Sequence, residues 1–384
     1  MLLYVHVPFC VRKCGYCAFH SGRFSREAAK LYVGQVLLEM AGWGRSLGRV
    51  RLESVYFGGG TPSLLEPGQI EALLRAADTC FELSSGAEIT LEANPDSVLR
   101  PGFLDSVRSL GVNRLSLGVQ SLQDDLLAML GRPHDSAQAR RAVYAARAAG
   151  FTNLSLDLIW GLPGQTLDRW MNDLAGVVEL APEHLSCYGL SLEEGTALTR
   201  KVEAGALVLP DEEIGARMYL EGSEFLESSG YAHYEISSHA RPGRESRHNQ
   251  GYWDGLDYLG LGPAAVSTIE GRRWSNPSAL EEYAEVVAKG EARDEVEVLS
   301  ALTRRQEMVM LALRTGAGLD LEKFKATIGT EFPWRHPAVE QLRSSGLVRL
   351  RAGHLQLTRK GMLVSNSVIE MVLGVLDRMH ADTV

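Results

Sequence analysis

The sequence has no apolar run near the roughly 18 residues that a membrane-spanning helix needs, so no intrinsic membrane anchor is expected. Its opening stretch, Met-Leu-Leu-Tyr-Val-His-Val-Pro-Phe-Cys, has no basic leader and no small-residue cleavage site, which argues against secretion and for a cytoplasmic location. Basic charge is in deficit. The 39 Lys and Arg against 48 Asp and Glu leave a formal net charge of -9, which argues against a protein whose whole surface grips nucleic acid. Cysteine is scarce: five residues in 384, an odd count that does not suit a disulfide framework. There is no solenoid repeat and no low-complexity tract. The 45% hydrophobic content supplies substantial cores, and the length suggests two or three domains.

The few cysteines are unevenly placed. Cys10, Cys14 and Cys17 fall within eight residues as C-x-x-x-C-x-x-C. A zinc site would require a fourth ligand, for which His6 and His20 lie nearby. Iron–sulfur clusters take closely spaced thiolates, usually four. A three-cysteine loop on a four-iron cluster therefore leaves one iron open to an outside ligand. Cys80 and Cys187 are isolated in apolar contexts and read as small buried hydrophobes.

Short apolar runs at 2–7, 52–57, 87–93, 113–119, 153–159 and 184–190 alternate with helical patterns. One of these, DSAQARRAVYAARAAG, has Asp135 or Ser136 to start it and Gly150 to stop it. Six strand–helix units in succession predict a parallel sheet with right-handed crossovers, open or curled into a partial barrel. The cysteine loop, Gly58-Gly59-Gly60-Thr61, Glu92, Gln120 and Gly161–Gly164 all fall at or after strand ends, where parallel barrels gather their active sites. Residues 1–210 are thus expected to form the barrel. From 211 to 295 comes an extension rich in Tyr, His, Arg and Gly, and its 231–267 stretch shows no helical period. In 296–384, helices followed by a hairpin turning at Ala352-Gly353 suggest a small winged-helix-like α+β domain. Residues 301–384 hold 12 Lys and Arg against 8 Asp and Glu, a mild excess read as a packing or docking feature.

The cysteine spacing directly after a first strand, Tyr16 before the third cysteine, and the glycine turn after the second strand resemble the radical S-adenosylmethionine superfamily. The resemblance implies an α/β fold, a partial (β/α)6 TIM-like barrel, with a 4Fe-4S cluster on Cys10, Cys14 and Cys17. The open iron would chelate the methionine amino and carboxylate groups of S-adenosylmethionine, and an electron from the cluster would cleave the sulfonium to a 5′-deoxyadenosyl radical. Side-chain chemistry is compatible: Arg132 can pair with a carboxylate, Glu92 and Asp157 can accept from an ammonium or ribose hydroxyls, and Gln120 offers both roles. The glycines at 58–60 would let backbone approach the cofactor.

The segments YVHVPFCVRKCGYCAF, YFGGGTPSLL, LEANPDSV, GVQSLQDDLLAMLGRPH, LDLIWGLPGQT, and RHNQGYW followed by DYLGLG, spread over residues 4–262, narrow the resemblance to the oxygen-independent coproporphyrinogen III oxidase family. It implies S-adenosylmethionine contacts at Tyr4, Tyr16, Gly59, Gly60, Thr61, Glu92, Gln120, Arg132 and Asp157. The true oxidases, which oxidatively decarboxylate two propionates to vinyls, read C-x-x-x-C-x-x-C-x-C and carry an extension before the strand-one tyrosine. Here Phe19 replaces the fourth cysteine and the tyrosine is Tyr4. The H-N-x-x-Y-W pattern at His248–Trp253 resembles instead the heme-chaperone branch. That branch implies heme b as cargo, His248 as its iron ligand, and heme-accepting respiratory enzymes as partners. Arg241, Arg244 and Arg247 would be available to heme propionates, and a homodimer is compatible with the sequence.

Overall fold

The computed structural model describes residues 1–290 and 296–381. The chain begins with β1 (Leu2–Val7), β2 (Phe9–Cys10) and β3 (Gly22–Arg23), followed by β4 (Arg51–Gly59), β5 (Glu82–Ala93), β6 (Arg114–Gln120), β7 (Leu154–Trp160) and β8 (His184–Gly189). Strands β1, β4, β5, β6, β7 and β8 lie side by side in that order, each parallel to the next. All six predicted strands are present. The helices between them include Arg26–Leu47, Pro67–Cys80 and Ser136–Ala148. The last is started by Asp135, whose carboxylate accepts from Gln138 N–H at 2.7 Å, and Gly150 stops it at φ +86°.

Side-chain alternation decides where the core lies. Leu3, Val5, Val55, Phe57, Leu91, Leu117, Leu156 and Leu185 point one way and are buried with the helices in one apolar cluster. The opposite face is polar along the in-register rows Tyr4–Tyr56–Thr90–Arg114, Glu92–Ser116–Ser155–His184 and Gly118–Asp157–Ser186. The apolar core therefore sits outside the parallel sheet, and the polar face is left for the site.

The aperiodic region contains more structure than its pattern suggests. β9 (Ala232–Glu235) and β10 (Ser238–Ala240) extend the sheet beyond β8. At the other edge β11 (Tyr258–Leu261) adds a seventh parallel strand beside β1, followed by antiparallel β12 (Val266–Ile269), β13 (Arg272–Ser275) and β14 (Glu297–Val298). The 12-stranded sheet ends on β14 and β9 and does not close. The H-N-x-x-Y-W motif is a helix, Arg247–Trp253, where no helical period was expected. Two turns are too short to show a period, and its stability comes from outside: the Glu88 carboxylate accepts from the N–H groups of Arg247 and His248.

Helices Ala301–Leu313, Leu321–Ile328, Pro337–Ser344 and Ser365–Ala381 surround β15 (Leu319–Asp320), β16 (Val348–Arg351) and β17 (His354–Leu357). The hairpin turns at Ala352 and Gly353, both at positive φ, as a two-residue hairpin turn requires. Val309, Phe324, Val339, Leu355 and Val372 share a second core that also takes Tyr219. Backbone bonds from Ile236 to Arg314 (3.0 Å) and from Gly316 to Tyr234 (2.8 Å) set this part against the β9 edge. Among the described residues no helix is long and apolar enough to cross a membrane.

Two glycines test this packing. A Cβ on Gly60 would lie 2.5 Å from the Phe9 carbonyl oxygen, whereas one on Gly34, exposed within the Arg26–Leu47 helix, meets nothing within 4 Å. Gly60→Ala should cost on the order of 1–3 kcal/mol or more in denaturant unfolding. Gly34→Ala should add about 0.5–1 kcal/mol.

Candidate functional site

Cys10 ends β2, and the chain returns through β3, which pairs parallel to β2 with Cys10 opposite Arg23. The intervening loop carries Cys14 and Cys17 and is held at its middle, where Gly15 N–H donates to Leu130 and Leu198 N–H donates to Gly15. All three thiols are half-buried and unpaired with one another. Among the described residues no three His, Cys, Asp or Glu side chains converge on a single metal ion. A four-iron cluster does not need them to converge, since each thiolate binds a different iron.

A chain of side chains links two of the thiols. Arg132 Nη1 donates to Cys14 Sγ at 3.4 Å, and its Nη2 donates to Asn94 Oδ1 at 2.6 Å and to the Gly118 carbonyl at 2.7 Å. Asn94 Nδ2 donates to Thr61 Oγ1 at 3.2 Å, and Thr61 Oγ1 donates to Cys10 Sγ at 3.6 Å. Arg132 Nε is buried with no partner among the described residues. An unmatched donor of this kind, beside the thiols, fits an anionic group that the protein does not itself supply. Tyr16 packs near Arg132, and burial raises its phenol.

The remaining predicted residues line the same end of the sheet. Tyr4 Oη bonds His6 Nδ1 at 3.1 Å. Gln120 sits at φ +67°, where the register of β6 on β7 shifts, so a strand irregularity re-aims its side chain. Gly118 makes room for it: a Cβ there would lie 2.9 Å from Gln120 Nε2 and 3.2 Å from Arg132 Nη2. Glu92 accepts from Tyr56 Oη at 2.6 Å and from Gly59 N–H at 3.2 Å. Burial pushes its carboxyl up to about 7 despite those bonds. Asp157 is also raised by burial and accepts from Ser116 and Ser155.

The glycine turn has a different reason from the one expected. A Cβ on Gly58 would meet the Tyr4 ring at 2.8 Å, and one on Gly59 the His6 ring at 2.7 Å. With Gly60 against Phe9, these glycines are required by the close approach of β4 to β1. Cys187 is buried as expected, but Cys80 is only half-buried. Sequence reasoning missed Asn94, Tyr56, Ser116 and Ser155, whose types carry no spacing signal; only their place on the alternating polar face marks them.

His248 needs correction. Its ring is fully buried, with Nδ1 bonded to Ser54 Oγ at 2.8 Å, Nε2 to Tyr252 Oη at 3.0 Å, and its face stacked on Tyr56 at 4.8 Å. Burial, and then the charge of Arg114, push it down to about 3. As folded it offers no nitrogen to an iron and pins its helix onto β4. Arg241 and Arg247 are likewise engaged, with Tyr231 and with the Gly86 carbonyl respectively.

Residues 4–175 match the Radical SAM superfamily, and residues 299–364 match the HemN C-terminal domain. The chain is 37% identical to heme chaperone HemW of Mycobacterium tuberculosis over 379 residues, covering 97% of this chain and 94% of that one. It is a HemW-family radical SAM protein. Heme chaperone HemW of Bacillus subtilis is 34% identical, with 97% and 99% covered. A mitochondrial radical S-adenosyl methionine domain-containing protein 1 of Bos taurus is 35% identical, with 98% and 88% covered. The HemW-family fold extends to coproporphyrinogen III oxidase of Escherichia coli, a radical SAM enzyme, at TM-score 0.83 and 26% identity over 97% of this chain and 89% of that one.

Because burial raises Glu92, its folded state holds a proton that the unfolded chain has already released between about pH 4.5 and 7. Its contribution to stability is therefore fully present below that window and is lost as pH rises through 7. In urea unfolding from pH 4.5 to 8, the stability of the wild type relative to Glu92→Gln should fall across the window and level off above it. A flat or rising difference would contradict the burial argument.

Proposed function

We propose that this protein is a heme chaperone, binding heme b and delivering it to respiratory hemoproteins while it carries a 4Fe-4S cluster and S-adenosylmethionine. The observation that carries the reading is the 34–38% identity, over most or nearly all of the chain, to proteins named heme chaperone HemW. Phe19, in place of the fourth cysteine of the oxidases, agrees with it.

Cys10, Cys14 and Cys17 would hold the cluster, with Thr61 and Arg132 donating to two of the sulfurs. When bound, the cluster supplies an open iron for the amino and carboxylate groups of S-adenosylmethionine and an electron. Arg132 Nε remains to meet a carboxylate, and Gln120, Glu92, Asp157, Tyr4, Tyr16 and the Gly59–Thr61 turn complete the pocket. The barrel is taken as residues 1–210, with 211–295 as the family-specific extension and 296–384 as the winged-helix-like domain. A homodimer would serve hand-off equally well.

The overall likeness to the oxidase makes coproporphyrinogen III decarboxylation the second reading. Anaerobic reconstitution should give a brown protein absorbing near 400 nm, a colour lost when the three cysteines are changed to Ser. Asn94→Ala, which cuts the link between Thr61 and Arg132, should weaken cluster retention by about 10- to 100-fold. The reconstituted protein should take up heme stoichiometrically and give no vinyl porphyrin from coproporphyrinogen III, S-adenosylmethionine and a reductant. Decarboxylation without heme uptake would make the protein an oxidase.

A further inference from the structure

We propose that the iron of the carried heme is ligated by His20, on the cysteine loop. The inference rests on the heme-carrier reading above and names the surface that does the carrying.

An axial imidazole must be reachable and must have a lone pair to give. Among the histidines with described side chains, the rings of His6, His134, His184, His233 and His248 are hydrogen-bonded away from the open surface. His239 is only 2% exposed. His336 Nδ1 accepts from Ala338 N–H, which puts the ring proton on Nε2 and leaves that nitrogen without a lone pair. His354 donates from Nδ1 to the Ala352 carbonyl, but its Nε2 lies 3.8 Å from the Asp320 carboxylate, which would repel a propionate. His20 is exposed and its ring makes no hydrogen bond among the described residues, while its carbonyl is fixed by a 3.2 Å bond to His6 Nε2. The ring is presented from an anchored backbone.

The surroundings suit the rest of the molecule. Heme is a flat apolar ring with two carboxylates at one edge. On the same loop as His20, the adjacent Phe19 is 65% exposed and Val11 57%, large apolar side chains left open among the described residues. Arg12, Lys13 and Arg23 are exposed, and none is in an ion pair among the described residues. The first 26 residues hold four Lys and Arg and no Asp or Glu, in a protein of net charge -9. The apolar pair would take the porphyrin face and the cations its propionates. The loop that bears them is closed by the β2–β3 pair and by Phe24 N–H donating to the Cys10 carbonyl at 3.0 Å.

The test is an anaerobic heme titration of the cluster-reconstituted full chain, read as Soret difference spectra, for wild type, His20→Ala, His20→Met and His354→Ala. The cluster absorbance of each variant before heme addition reports that the loop is intact. His20→Ala should bind at least tenfold more weakly and lose the imidazole signature. His20→Met should bind with a displaced Soret maximum, and His354→Ala should match the wild type. Wild-type uptake with an unchanged affinity and spectrum in His20→Ala would overturn the ligand assignment and leave the carrier reading standing. No uptake by the wild type would overturn both.

Discussion

The hydrogen-bonded run from Cys14 through Arg132, Asn94 and Thr61 to Cys10 is the interaction on which the rest of the site depends. Its members come from the cysteine loop, the ends of β4 and β5, and the turn after the Asp124–Leu130 helix. No one element could hold two thiols on a flexible loop at a set separation. The run does so by crossing from strand end to strand end, and it works only if the strands keep their register. That is why the close packing of β1 on β4 matters to the chemistry. Side chains at Gly58 or Gly59 would strike the Tyr4 and His6 rings of β1, and one at Gly60 the Phe9 backbone next to Cys10.

The same logic explains the inverted layering. A parallel sheet with helices on one face can bury apolar side chains there and still be stable, which releases its other face from core duty. Here that face carries Tyr, Glu, Arg, Ser, Asp and His in register. Each buried polar group needs a partner, and the rows supply many of them: Tyr56 to Glu92, Ser116 and Ser155 to Asp157, Ser155 to His184, Ser54 to His248. Satisfaction is incomplete at three named points: Thr90 Oγ1 and Arg114 Nε within the rows, and Arg132 Nε beside the cysteines, have no partner among the described residues.

Much of this was legible in the sequence, and the reasons differ by element. The six parallel strands were visible because each is a short apolar run between helices with clear caps, such as Asp135 and Gly150. The cysteine loop was visible because three thiols in eight residues are rare by chance. The Arg247–Trp253 helix was not, because two turns show no period and its support comes from Glu88, some 160 positions away. Asn94 was hidden for the same reason. An asparagine beside a proline looks like an ordinary helix start, and it is one here, while its amide also bridges two distant partners. Long-range partners leave no trace in local pattern.

The histidines carry this point furthest. A motif with His, Tyr and Trp at helical spacing looks like a heme site because those side chains are chemically suited to one. Suitability is not availability. Tyr252 follows His248 by one helical turn, so it reaches the imidazole and occupies Nε2, while the strand beneath occupies Nδ1. The spacing that makes the motif recognisable is what satisfies the ring internally. An imidazole without such a neighbour must lie outside regular secondary structure, on a loop fixed at its backbone and open at its side chain. His20 is placed in this way, because the cysteine loop is held by main-chain bonds and leaves Phe19 and His20 exposed while its thiols and Tyr16 turn inward.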